Sequence, residues 1–212
     1  MLEGGEMSLT KFTKINAMQI KFHVPETLSE ITLKQYQDFI LLDKEMDEDA
    51  YLMAISKIFV RGDLVHIEKL PLKKLNEIFE TITNLFATEK NKFTNIIKID
   101  GVEYGLVPNL DEITIGEKAD IEEYIKQGYE KNLHNILAIL FRPITQKFGK
   151  LYNIETYNGT QERPALFQEK FPCDILQGVL VFFSTLENEF LNHTLSYLLN
   201  QEANKSSKQA VQ

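Results

Sequence analysis

The chain of 212 residues has no tryptophan, one cysteine (Cys173), six prolines and ten glycines. A single cysteine excludes a disulfide framework and a thiolate metal cluster, and it points to a reducing compartment. Long apolar runs are missing. The longest, "ILQGVLVFF" from Ile175 to Phe183, is far below the roughly 20 residues of a membrane span. The opening "MLEGGEMSLTKFTKINA" lacks the apolar core of a secretory signal. The expectation is a soluble cytosolic protein whose sequons at Asn158, Asn192 and Asn204 meet no glycosyltransferase.

Positive charge is also scarce. Lys and Arg number 23 against 31 Asp and Glu, a formal net charge of −8. That balance argues against nucleic acid or an anionic membrane as the main partner, since both select a basic face. Phosphate-binding and nucleophile signatures are absent: no G-x-x-x-x-G-K, no G-x-G-x-x-G, no G-x-S-x-G. What is present is ordinary globular material, 43% hydrophobic and 25% charged, sufficient for a core.

The most informative feature is a near-repeat. "VPETLSEITL" starts at Val24 and "VPNLDEITI" at Val107, each after an alternating run, "MQIKFH" and "GVEYGL". In both, a threonine stands three residues before a glutamine or glutamate (Thr32 with Gln35, Thr114 with Glu117), the spacing of a capping box. The two stretches read as one strand-to-helix device used twice, by duplication or by convergent turn chemistry.

Around that device, periodicity predicts an α+β, mainly helical fold of about six helices and a small antiparallel sheet. Residues 1–17 read as a loose leader. A unit over 18–90 holds a strand (18–24) and helices from Thr32 to about Lys44, through "AYLMAISKIF" to near Gly62, and onward from Pro71. A second unit over 91–202 holds a hairpin turning at Asp100-Gly101, a pair suited to a type I′ turn. It continues with helices over Ile115–Gln127 and "YEKNLHNILAILFR", a strand-like "LYNIETY", a short "LFQEKF" helix, and a long apolar helix after Pro172 that reads as central. Residues 203–212 read as a disordered tail.

The candidate chemical groups are few. His23, His66, His134 and His193 form no His-x-x-x-His or Glu-x-x-His pattern, so structural roles are favoured and no metal site is assigned. Cys173 follows Pro172 at a helix start, where a dipole lowers a thiol pKa, yet no His-Asn or His-Asp pattern accompanies it. A small buried apolar side chain is the preferred reading. Arg61-Gly62-Asp63 spells an adhesive tripeptide, but Gly62 reads better as a helix stop. The acidic runs at Asp43–Asp49 and Asp120–Glu123 lack the glycine and ligand spacing of a calcium loop and read as helix-start charge and solvent face. No catalytic, cofactor-binding or metal-binding residue is assigned, and no cofactor is expected.

Thr32, Leu33, Gln35, Tyr36, Ala54, Ile55, Leu70 and Pro71 follow a pattern of a Thr-Leu helix start, an acidic break, an Ala-Ile pair and a Leu-Pro helix start. On these residues the first half resembles the small tail-assembly chaperones of tailed bacteriophages, with Gln35 one place early. The second half, from "IDGVEYGLVPNLDEITI" to "FPCDILQGVLVFF", resembles uncharacterised proteins of Bacteroidetes phages, including the crAss-like group. The two likenesses span about residues 18–190. They imply a non-enzymatic protein of the virion-assembly module, located in the host cytoplasm or the virion, with phage tail or head–tail proteins as partners and an oligomer compatible. They transfer no catalytic residues. An acidic adaptor or inhibitor of a host protein is the alternative expectation.

Overall fold

Both threonines of the near-repeat stand at helix starts. In the computed structural model, which describes residues 11–15, 18–62, 64–88, 93–108, 113–176 and 178–180, Thr32 caps α1 (Leu33–Ile40) and Thr114 caps α4 (Ile115–Lys126). Each threonine hydroxyl accepts the backbone N–H three residues on, at 3.3 Å from Gln35 and 3.2 Å from Glu117. Each N3 side chain returns the bond, Gln35 Oε1 accepting from Thr32 N–H at 3.0 Å and Glu117 Oε2 from Thr114 N–H at 2.7 Å. Ile31, just before the first cap, is fully buried, whereas Ile113 before the second is only partly so.

The architecture is mainly helical α+β with two small antiparallel sheets. The first sheet has the order β1 (Lys11–Ile15), β2 (Met18–His23), β3 (Arg61–Gly62). The second is a meander of β4 (Ile96–Ile99), β5 (Val102–Leu106), β6 (Phe141–Phe148) and β7 (Leu151–Ile154). The remaining helices are α2 (Glu48–Phe59), α3 (Leu72–Thr88), α5 (Tyr129–Leu140) and α6 (Arg163–Lys170), with 3-10 turns at Leu28–Glu30 and Leu64–Lys69.

Two aromatic clusters organise the packing. Phe39, Phe59 and Phe86 bring α1, α2 and α3 together with ring centroids 5.5–6.1 Å apart. Tyr104, Phe141, Phe167 and Phe171 join the meander to α6 at 5.2–5.6 Å. Buried residues from both halves of the sequence form one continuous core. Edge-to-face and offset ring pairs add to the burial of large apolar area, which is the main stabilising term.

Several expectations need correction. Lys11–Ile15, read as leader, is a strand: "KFTKI" has no telling period alone, and pairing with β2 supplies what local pattern does not. The first helix stops at Ile40, before Lys44, and just beyond it Asp43 turns its carboxylate to the Glu45 N–H at 2.9 Å, a local bond that competes with helix. Gly62 is no helix stop; α2 ends at Phe59 and Gly62, at φ 123°, pairs with Phe22. The fifth helix ends at Leu140 because Pro143 disfavours helical φ/ψ at Arg142, and the chain passes directly into β6. Helical backbone is present at 173–176 and 178–180; the rest of the expected long helix and the tail lie outside the described residues.

The predicted Asp-Gly turn is there. Asp100 and Gly101 both take positive φ, 49° and 84°, which splays neither strand. Lower in the same sheet, Gly105 serves a different purpose. The Tyr152 ring of β7 lies against it so closely that a Cβ would sit 2.3 Å from Cε2. The Tyr152 hydroxyl then donates to Leu106 O at 2.7 Å. Gly105→Ala should therefore cost about 1–3 kcal/mol through overpacking, and Tyr152→Phe about 1 kcal/mol through the lost bond. Urea denaturation checks both, and an unchanged midpoint for Gly105→Ala would show that the ring moves freely.

Candidate functional site

The N3 residue of each capping box does more than close its own cap. Gln35 is an amide: its oxygen holds the cap, and its Nε2 donates to Ile58 O at 2.8 Å. Ile58 lies in the last turn of α2, where carbonyls lack a helical partner. Glu117 is a carboxylate: Oε2 holds the cap, and Oε1 stands 2.7 Å from Arg142 Nη2 of β6. The choice of Gln in one copy and Glu in the other follows the chemistry of the far partner, a carbonyl in one case and a guanidinium in the other.

Glu117 and Arg142 form the most deeply buried ion pair among the described residues, with side-chain exposures of 3% and 8%. Its angle falls outside hydrogen-bond geometry, and Arg142 Nε has no acceptor among the described residues. Burial lowers the Arg142 pKa, and the Glu117 charge counteracts that. Arg142 also lies 5.8 Å from the centroid of the Tyr157 ring, within cation–π range. The Tyr157 hydroxyl donates to Asp120 of α4. Burial first, then that bond to the carboxylate, raise the Tyr157 pKa. Beside them Arg163 of α6 donates to Ala138 O at 3.3 Å and to Gly159 O at 2.9 Å, and pairs with Glu155 at 3.3 Å. The network fastens α4, β6, the segment after β7 and α6 to one another. Sequence reading passed over it, although a lone arginine inside "ILAILFRPI" was a signal, since such a residue has to find an anion.

The residues singled out in the sequence go elsewhere. His134 on α5 meets Gln37 of α1, whose Nε2 also donates to Glu130 O and Lys131 O at 2.8 and 3.0 Å. His23 Nε2 stands 2.5 Å from Glu30, and Arg61 of the tripeptide donates to Glu30 O at 2.5 Å. Together they clamp the turn that leads into α1. Cys173 is fully buried at a helix start, the setting of a small apolar side chain. Asp47 caps α2 by accepting from Ala50 N–H at 3.2 Å, so the first acidic run is helix-start charge. The His66 side chain, Asp63 and His193 lie outside the described residues. Among the described residues, no three His, Cys, Asp or Glu side chains are grouped to hold a metal, and no helix is long and apolar enough to cross a membrane.

Two surface features remain. A depression of about 290 Å³ lies between the end of β2 and α3, with Val24 and Ile78 among its lining residues and Lys74, Glu77, Glu80 and Asn84 around them. At one end of the meander the two hairpin turns lie side by side, as the β5–β6 register and the 2.9 Å Lys147–Glu103 pair require. There Phe148 and Leu151, directly paired across β6 and β7, are 64% and 75% exposed, and Val102 is 43% exposed.

Comparison with protein-family models, with curated proteins and with solved structures returned no match.

The N3 arrangement makes an unusual mutational signature. Local helix electrostatics favour an acid near a helix N-terminus, yet Gln35→Glu should destabilise by about 1–3 kcal/mol by setting a carboxylate against Ile58 O. Glu117→Gln should cost about 3 kcal/mol by leaving Arg142 buried without an anion, and Arg142→Met added to it should restore much of that loss. Equilibrium urea unfolding distinguishes these outcomes; a stabilised Gln35→Glu would reduce the device to ordinary capping.

A pH dependence follows from His134 and Tyr36. Burial lowers the His134 pKa below 6.5, so the folded chain binds this proton less readily than the unfolded chain. Its contribution is complete above 6.5 and is lost as the pH falls through the folded-state value. Tyr36, pushed up to about 12 by burial and then by nearby Cys173, Tyr129 and Glu130, has the opposite sign: its contribution is complete below 10 and lost between 10 and 12. The urea midpoint should fall on acidification below 6.5 in the wild type and fall less in His134→Leu. Equal acid slopes in the two proteins would count against His134 as the titrating group.

Proposed function

We propose that this protein is a non-enzymatic assembly factor of a tailed bacteriophage, a tail-assembly chaperone or a minor virion protein, acting by protein–protein contact in the host cytoplasm. The observation that carries the reading is the apolar end of the meander. Phe148 and Leu151, paired with each other where β6 turns into β7, are large apolar side chains exposed to solvent, and such a pair marks a contact surface more than singly scattered exposed residues do. The positions that resemble the phage chaperones support it from the other half: Thr32 is a helix cap, Ile55 and Leu70 are buried, and Pro71 precedes α3. The Glu117–Arg142, Tyr157–Asp120 and Arg163–Ala138 contacts hold elements together, which suits a scaffold.

A second reading, an acidic adaptor of a host protein, is favoured by the stretch that joins α1 to α2 and includes the first residues of α2. There Asp43, Glu45, Asp47, Glu48 and Asp49 all face solvent in succession, a concentration of charge able to imitate a phosphate backbone. Affinity isolation from infected cells, with mass spectrometry of purified virions, separates the two. Phage tail or head–tail proteins should be recovered, with recovery reduced at least several-fold by Phe148→Ser with Leu151→Ser. Recovery of host proteins alone, unaffected by that pair of changes, would replace the first reading with the second.

A further inference from the structure

We propose that the crossing of α1 and α5 is a proton-operated joint, held by neutral His134 through Gln37 and released when His134 takes up a proton.

The joint turns on one side chain. Gln37 projects from α1 and is only 2% exposed. Its Nε2 donates to Glu130 O at 2.8 Å and to Lys131 O at 3.0 Å, and stands 3.3 Å from His134 Nδ1. A carbonyl can only accept, so these two oblige the NH2 end of the amide to face α5. That end has no lone pair to offer. Its contact with Nδ1 is therefore a hydrogen bond only while Nδ1 keeps a lone pair, as in the neutral imidazole.

A proton on Nδ1 sets N–H against N–H. The amide cannot answer this without loss. Turned over, it would present Oε1 to the imidazolium but set that oxygen towards Glu130 O and Lys131 O, and both bonds to α5 would go. Oε1 has no donor in its present place, so no bond on that side resists the turn. Left as it is, the amide faces a half-buried cation with donors alone. In either arrangement the crossing loses hydrogen bonds at a site that water reaches only when the helices part.

No charged neighbour holds or repels the proton by direct contact. Among the described residues, Gln37 is the one side chain bonded to the His134 ring, and the ring has no ion-pair partner. The titratable groups along the crossing are Tyr36 on α1, Tyr129, Glu130 and Lys131 on α5, and Cys173 on the returning chain. None of them bonds to the ring. Nor does any charged group of α4, α6 or β6, the other elements packed on α5. Burial acts unopposed and holds the folded-state pKa of His134 below 6.5. The joint is thus set at neutral pH and released below 6.5.

Other ties confine the release. Leu33 N–H to Phe171 O at 2.8 Å and Cys173 N–H to Ile31 O at 2.9 Å also cross between the two halves of the chain, and these backbone groups do not titrate. Phe39 of α1 stays with Phe59 and Phe86. The seam opens at Gln37 while its other end and the fold persist.

NMR of the full-length chain tests this. As the pH falls from about 7.5 to about 5, exchange of the Gln37 carboxamide protons, corrected for its intrinsic pH dependence, should rise about tenfold in step with protonation of the His134 ring. The Leu33 and Cys173 N–H groups should keep their protection over the same range. His134→Gln supplies an acceptor that cannot take up a proton, so its Gln37 amide should be equally protected at both ends. A Gln37 amide indifferent to protonation of His134 in the wild type would overturn the joint, whether or not the variant folds. So would an equal acid response in His134→Gln. Loss of Leu33 and Cys173 protection together with that of Gln37 would overturn it too, since acid would then be unfolding the whole chain.

Discussion

Two helix starts satisfy each other at the centre of this molecule. Leu33, first residue of α1, donates its N–H to Phe171 O at 2.8 Å, and Cys173, where helical backbone resumes, donates to Ile31 O at 2.9 Å. Those N–H groups have no partner within their own helices, and Ile31, Leu33, Phe171 and Cys173 are all fully buried. An unpaired backbone group at such a place costs as much as a lost hydrogen bond with none of the compensation that water gives. The exchange therefore fixes the segment at 31–33 against the segment at 171–173, and with it the first half of the chain against the second. Pro172, which has no N–H to donate, sits in the bridge opposite Thr32 without leaving a donor unmet.

This constraint explains the burial of Cys173 better than any reactivity does. The residue lies where two backbones approach within hydrogen-bond distance, and its side chain is fully buried there. It also explains why the first copy of the repeated stretch is the more enclosed. Ile31–Leu33 is covered by the returning chain, and Gln37, one turn on, reaches across to the carbonyls of Glu130 and Lys131. The second copy faces solvent on its outer side, where Ile115 is almost wholly exposed, and is secured from within by the Glu117–Arg142 pair.

The two copies thus share a local mechanism and differ in tertiary use. Each N3 side chain has two functional ends, one for the cap and one for a distant partner. An amide serves where the partner is a carbonyl, and a carboxylate serves where it is a guanidinium. Buried pairs of the second kind add little net stability compared with apolar replacements. What Glu117–Arg142 adds is a fixed relation between α4 and β6.

The features legible in the sequence are those decided within a few residues. Thr32 with Gln35 and Thr114 with Glu117 close over three positions, Asp100-Gly101 takes its turn from its own φ preferences, and Asp47 caps the helix it precedes. Helix cores followed from apolar spacing for the same reason, because side chains three and four apart share a face. The tertiary structure decided what depends on partners tens of residues away. Arg61–Gly62 is a strand because β2 offers it a ladder, and Arg142 is tolerable in an apolar run because Glu117 arrives from another element. The exposed apolar end of the meander, too, exists only once the chain has formed the β5–β6 and β6–β7 ladders. A local pattern carries its own partner in the sequence, whereas a buried charge or a short strand acquires its partner only when the chain has closed on itself.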